Sequence, residues 1–177
     1  MEMLCDFAHS EKCRTHLSKH HVLQHYLNFL VLPKSYISVN ALEAIAVWLS
    51  DDKTNKEEME KEIAKKEEVD KIVHMFKVAP DGSMLVPLSK IVTTSEAISA
   101  KLGENTSFVS LLVDRLSHQY ALVKLNLLKI LKPILLQNTI SREIIKSKVL
   151  PAITKLEANE GAVMVKEMAS KLMELMS

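Results

Sequence analysis

The chain has 177 residues, of which 47% are apolar and 25% charged, a composition that suits one folded domain. Aromatic residues make up only 5%, and three glycines and five prolines punctuate the whole length, which disfavours strand-rich folds with their frequent turns. The net charge is −3 over residues 1–118 and +4 over residues 119–177, an asymmetry too small to indicate nucleic-acid binding. The composition therefore predicts an all-α domain with no nucleic-acid partner.

The apolar runs and the cysteines of the chain indicate where in the cell it is expected to lie. The longest uncharged apolar run, residues 44–49, is far shorter than the ~20 residues that cross a bilayer, and the first residues do not resemble a secretory signal. Two cysteines, Cys5 and Cys13, cannot build a disulfide framework, which favours a reducing compartment. We expect a cytoplasmic protein with no membrane partner.

Two sets of apolar residues recur along the chain about every 40 positions. The first set, spaced by 38, 43 and 43 residues, is Leu4, Leu42, Leu85 and Leu128. The second set, spaced by 46, 39 and 42 residues, is Leu17, Ile63, Leu102 and Ile144. A period of this size with helical patterning is typical of HEAT and armadillo arrays, whose units bury their apolar faces only by stacking. The spacing predicts a right-handed α-solenoid of about four repeats, with an irregular helical bundle as the alternative.

The repeat divides the chain into units within a single domain. The predicted units cover residues 1–32, 33–80, 81–118 and 119–177. An armadillo unit has a longer third helix, and the predicted third helices cover residues 2–9, 39–50, 84–92, 122–131 and 162–176. Helix-breaking residues fall between units at Pro33, Pro80 and Gly82, and Gly161 separates the last two helices. Pro133 lies in the apolar stretch that continues the predicted helix 122–131, so we expect this helix either to kink at the proline or to end near Leu131.

The third helices are the candidate binding surface, because stacked units line a continuous concave side with them. The polar residues predicted to project from them and contact a partner are Asn40, Glu43, Lys90, Asn126 and Lys129. Two alternatives remain open, the convex side and a charged docking segment over residues 53–71, which holds six lysines and seven acids.

The C-terminal helix carries an apolar stripe that suits self-association. Residues 163–176 include Met168 and Leu172 on this stripe, and an uncovered apolar stripe on a stable protein usually marks an interface. We expect either a homodimer that uses Met168 and Leu172 or flanking sequence that covers them.

Catalytic and metal-binding patterns are weak. Five histidines, two pairs of them at i, i+4 spacing, occur early in the chain: His9, His16, His20, His21 and His25. There is no CxxC pair, glycine-rich phosphate loop, glycine-flanked serine or HExxH helix. We expect no enzymatic activity, no cofactor and no metal in this chain, and keep a histidine-based metal protein or helical enzyme as a third alternative.

Four segments resemble one region of a protein kinase group. They are residues 4–10 (LCDFAHS), 40–50 (NALEAIAVWLS), 115–131 (RLSHQYALVKLNLLKIL) and 165–173 (VKEMASKLM). The resemblance is to the armadillo-like region after the kinase domain in the fungal septation-initiation and mitotic-exit network serine/threonine kinases and plant MAP kinase kinase kinase epsilon. It covers nearly the whole chain, which lacks the glycine-rich loop, HRD and DFG motifs of a kinase domain.

The resemblance implies a non-catalytic docking domain of a cell-division kinase. It implies recruitment to the spindle pole body and division site through a Ras-like small GTPase and a spindle-pole scaffold, and self-association. No site residue is carried over, because the region has no catalytic residues. The alternative is a free-standing armadillo-repeat adaptor or scaffold.

Overall fold

The structure, a computed structural model, describes residues 2–33, 35–79, 82–137 and 142–176. These residues form helices and turns and no strand, which confirms the all-α prediction. The helices are α1 (Glu2–Asp6), a 3-10 turn (Phe7–His9), α2 (Glu11–Lys19), α3 (Val22–Phe29), α4 (Ser35–Asp51), α5 (Lys56–Ile63), α6 (Lys66–Val78), α7 (Leu85–Thr94), α8 (Glu96–Glu104), α9 (Thr106–Arg115), α10 (Ala121–Gln137), α11 (Arg142–Asn159) and α12 (Val163–Met176).

The helices follow the predicted order of two short helices and a third. Helices α4, α7, α10 and α12 lie where third helices were predicted, and α1 with its 3-10 turn occupies the first such position. The last repeat differs from this order. Two short helices were expected before α12, but α11 is one helix of 18 residues that continues through Pro151. Pro151 is exposed while Val149 and Ile153 beside it are buried, so apolar packing holds the helix on both sides of the proline.

The chain divides into two compact units, Met1–Ile98 and Ser99–Ser177, with the boundary inside α8. In the first unit α4 is the central helix and contacts α1, the 3-10 turn, α3, α5 and α7. Apolar residues recur around most of its circumference, so that Leu42 and Trp48 are both buried. Only a narrow stripe of α4 is left for solvent.

Polar side chains tie neighbouring helices of the first unit together. Arg14 is buried and donates from Nη1 to the carbonyl of Ala8 at 2.9 Å, which joins α2 to the 3-10 turn. Gln24 on α3 donates from Nε2 to Oε1 of Glu68 on α6 at 3.1 Å. Buried polar groups need such partners, so these contacts restrict how the helices pack.

The second unit is built around α10, which contacts α9, α11 and α12. The helix continues through Pro133, so the alternative of an end near Leu131 is wrong. The residues on both sides of the proline are buried, and their packing outweighs the lost backbone hydrogen bond: Ile130, Leu131, Ile134 and Leu135. Lys124 in the first turn of α10 forms an ion pair with Glu160, which holds the start of α10 beside the start of α12.

The recurring apolar residues lie mostly where the repeat predicts. Six of them are buried, and they are Leu17, Leu42, Ile63, Leu85, Leu102 and Leu128. Leu4 is half-buried, and the side chain of Ile144 lies outside the described residues, as does Pro80. Gly82 has a φ of 74° in the turn before α7, a left-handed conformation that favours glycine. Gly161 lies between α11 and α12, as predicted.

Candidate protein-interaction site

Each third helix of the first unit leaves one face uncovered, which we call its third-helix stripe. On α4 the stripe follows the i, i+4, i+7, i+11, i+14 spacing that places residues on one helix face. It consists of Tyr36, Asn40, Glu43, Val47 and Ser50, and each is exposed or half-buried. On α7 the same spacing gives a shorter stripe of Val86, Lys90 and Thr93, all exposed.

The third helices of the second unit carry stripes at the same spacing. The α10 stripe is Leu122, Asn126, Lys129, Pro133 and Leu136, and the α12 stripe is Met164, Met168, Lys171 and Leu175. Of the five residues of the α10 stripe, Asn126 alone is buried. Helices α10 and α12 are in contact, so their stripes belong to neighbouring elements of this unit.

The stripes begin with an exposed apolar side chain at the same register. It is the second residue of the helix in all four cases. The exposed fractions are 50% for Tyr36, 63% for Val86, 67% for Leu122 and 65% for Met164. Single exposed apolar residues are ordinary, but their return at one register of four helices is a repeated feature. We call these four residues the leading apolar residues.

The rest of the stripes is mainly polar and differs in charge from helix to helix. Glu43 is acidic on α4, whereas Lys90 on α7 and Lys129 on α10 are basic. Over the part of the chain that the structure describes, none of the three forms an ion pair within 4 Å. Charges without an internal partner are available to a second molecule, where they direct orientation more than affinity.

The predicted contact residues fall into two groups in the structure. Asn40, Glu43, Lys90 and Lys129 lie on the stripes with side chains that reach solvent. Asn126 is 7% exposed, so the expectation that it projects from the core is wrong. Its sequence neighbours Leu125 and Leu127 are buried as well, on a helix that contacts three others.

The predicted dimer contacts also need correction. Leu172 is completely buried, so it cannot contact a second copy of the folded chain. Met168 is half-buried, and the apolar residues that α12 exposes lie at its start, Val163 and Met164. The amphipathic pattern identified the apolar face of α12 but assigned it to an interface, whereas α10 and α11 cover most of it.

Met164 belongs to the apolar stripe predicted on the C-terminal helix, but the other three leading apolar residues were missed, because the predicted third helices began too late or gave no reason to expose an apolar side chain. Tyr36 lay outside the predicted helix 39–50, since α4 begins at Ser35. The sequence did contain a signal for them: each of these residues lies off the helix face that holds the buried apolar residues of its own helix.

The five early histidines are all exposed. Across residues 2–33, 35–79, 82–137 and 142–176, no three His, Cys, Asp or Glu side chains are grouped so that they could hold a metal ion. None of the helices within those ranges has the length and apolar character of a membrane span. Within the residues that the structure describes, Cys5 and Cys13 form no disulfide.

Comparison with known proteins gives both a fold and relatives. A designed armadillo repeat protein of known structure superposes with a TM-score of 0.52 at 17% sequence identity, over 99% of this chain and 91% of that one. MAP3K epsilon protein kinase 1 of Arabidopsis thaliana is 34% identical over 98% of this chain, and cytokinesis protein sepH of Emericella nidulans is 32% identical over 98%. No protein-family model matches the chain.

The chain is homologous to a non-kinase region of these proteins. It spans 13% of the length of both relatives. The expected resemblance and the armadillo-like fold are thus confirmed, and an irregular bundle is excluded.

Proposed function

We propose that this chain is a non-catalytic protein-interaction domain of a cell-division kinase and that it binds its partner through the third-helix stripes. The observation that carries the proposal is the repeated stripe with its leading apolar residue, together with Glu43, Lys90 and Lys129, which form no ion pair among the described residues. Interfaces combine a desolvated apolar contact with surrounding polar groups in this manner.

The cell-division role is supported by the relatives. One of them is named as a cytokinesis protein and another as a protein kinase, and this chain is similar to one region of each. We propose recruitment to the spindle pole body and division site from the cytoplasm, with a Ras-like small GTPase and a spindle-pole scaffold as partners. A free-standing armadillo adaptor is the second candidate, because an armadillo-like fold, which the described residues form, suits an adaptor as well.

The test is binding of the candidate GTPase and scaffold to the immobilised chain. We expect the variant with Glu43→Lys and Lys129→Glu to bind at least about tenfold more weakly, because charge reversal places like charges across the contact. Each single variant tests the stripe of one unit by itself.

A charge-matched control separates this effect from general electrostatics. Glu96→Lys and Lys101→Glu reverse one acid and one base that are exposed on α8, away from the stripes and from residues 53–71. This control should bind as the unchanged chain does. Equal binding by the stripe variant and the control would move the site to residues 53–71 or to another face.

We propose that self-association uses the exposed start of α12 and not its buried face. Val163 and Met164 are 69% and 65% exposed, so they can contact a second copy without unfolding. Met164→Glu should convert a dimer into a monomer in light scattering, whereas the exposed neighbour change Lys166→Glu should not. A dimer that persists in Met164→Glu would place the contact elsewhere.

A further inference from the structure

A cavity of about 370 Å³ lies in the first unit, away from the third-helix stripes. It is bounded by the turn between α2 and α3, the C-terminal part of α4 and the start of α5. Its inner wall is apolar and buried, formed by Val22, Trp48 and Met59. This volume lies within the range of pockets that enclose a ligand group.

The rim of the cavity is acidic. Glu58 and Glu62 line it from α5 at i, i+4 spacing, which places both carboxylates on one face of the helix. Lys65 lies 2.6 Å from Oε2 of Glu62 and does not line the cavity, so Oε1 of that carboxylate is left to accept from a ligand. No lysine or arginine is among the described residues that line it.

A third acceptor is fixed in place by Asp52. The side chain of Asn55, which also lines the cavity, donates from Nδ2 to Oδ2 of Asp52 at 2.8 Å. A carboxylate can only accept from the amide, so the NH₂ group faces Asp52 and Oδ1 of Asn55 faces away from it. The same Oδ2 accepts from Nε1 of Trp48 at 2.9 Å, which holds the indole in the wall.

We propose that this cavity binds the side chain of an arginine on a protein partner. An arginine combines an apolar stem, which the wall of Val22, Trp48 and Met59 would cover, with a planar cation whose several N–H donors suit two carboxylates and an amide oxygen. The inference is independent of the proposed stripe function, because none of the residues that line the cavity belongs to a stripe.

The chain contains its own probe of the cavity. Trp48 is its single tryptophan, so one indole N–H resonance in a nitrogen–proton NMR spectrum and one fluorescence signal report on the wall. The experiment titrates the full chain with a blocked pentapeptide that has a central arginine between alanines and glycines. The matched peptides have glutamine or leucine at the centre.

We expect the arginine peptide to shift the Trp48 indole resonance with a dissociation constant of roughly a millimolar, as suits one engaged side chain. The glutamine and leucine peptides should leave the resonance unchanged. The variant Glu58→Gln with Glu62→Gln should weaken arginine binding at least about tenfold, because two charge-assisted hydrogen bonds become neutral ones.

The control variant is Glu57→Gln with Glu67→Gln, which removes two exposed acids that do not line the cavity. It makes the same change in net charge and should retain arginine binding. Three results would overturn the proposal: no shift with the arginine peptide, equal shifts with the glutamine or leucine peptide, or equal losses in the two double variants. None of these results bears on partner binding through the stripes.

Discussion

The two longest third helices, α4 and α10, have 17 residues each but are anchored at opposite ends. At the C-terminal end of α4, Asp52 accepts hydrogen bonds from Trp48, Asn55 and the backbone N–H of Thr54. At the N-terminal end of α10, Lys124 pairs with Glu160. Equivalent helices of a repeat can therefore share their apolar contacts and differ in the polar contacts that position them.

The largest expected effect concerns the apolar contacts that the two helices share. Leu42 on α4 and Leu128 on α10 are both completely buried. Each change to alanine should lower the free energy of unfolding by ~2–5 kcal/mol, because it removes buried methyl groups and leaves a cavity. Urea unfolding measures the loss.

Leu122 is the matched control, because it is a leucine on α10 that is 67% exposed. Leu122→Ala should change the free energy of unfolding by less than ~0.5 kcal/mol. A stability loss at Leu122 as large as that at Leu128 would contradict the assigned register of the helix.

A smaller effect is expected at the anchor of α4. Asp52→Ala leaves the buried indole N–H of Trp48 without its partner, which should cost ~1–3 kcal/mol. Asp70→Ala, on the exposed acid that pairs with Lys66, serves as a control in which no buried group loses a partner. Thermal unfolding gives the melting temperature of both variants. Equal melting temperatures would show that the hydrogen bonds to Asp52 do not stabilise the end of α4.

The same carboxyl should make stability depend on pH. Burial raises the pKa of Asp52, but the hydrogen bonds from Asn55, Trp48 and the backbone N–H groups outweigh it, so the pKa lies below its ordinary value. A lowered folded-state pKa contributes stability that is present above the ordinary value of 3.8 and is lost as the pH falls through the folded-state value. Asp52→Asn should therefore show a shallower loss of stability in acid than the unchanged chain.

The smallest effect is expected at the anchor of α10. The hydrogen bond from Lys124 and that from the backbone N–H of Ala162 hold the pKa of Glu160 below its ordinary value. The stability from this pair is thus present above a pH of 4.5 and is lost at lower pH. Glu160→Gln should cost about 1 kcal/mol at neutral pH, measured by urea unfolding, and less in acid. A cost that does not change with pH would show that the charge of Glu160 contributes nothing.

The sequence predicted the features that recur in each repeat and missed those that occur at only one place in the described fold. The apolar ladder found the buried Leu42, Leu85 and Leu128 because burial recurs with the helical period and the repeat. It could not show that α11 continues through Pro151, since helix continuation there depends on packing from other elements. The sequence also did not predict the cavity beside Trp48, because the residues of its acidic rim and of its apolar wall come from segments that meet only in the folded chain.

Site-specific crosslinking in dividing cells tests the binding surface most directly. A photo-crosslinking amino acid would replace Val86 on α7 or Leu122 on α10 in the chain, with Lys101 on α8 as the exposed position off the stripes. The stripe account predicts that Val86 and Leu122 each crosslink to a protein partner and that Lys101 does not. Crosslinks from Lys101 alone, or equally from all three positions, would contradict it.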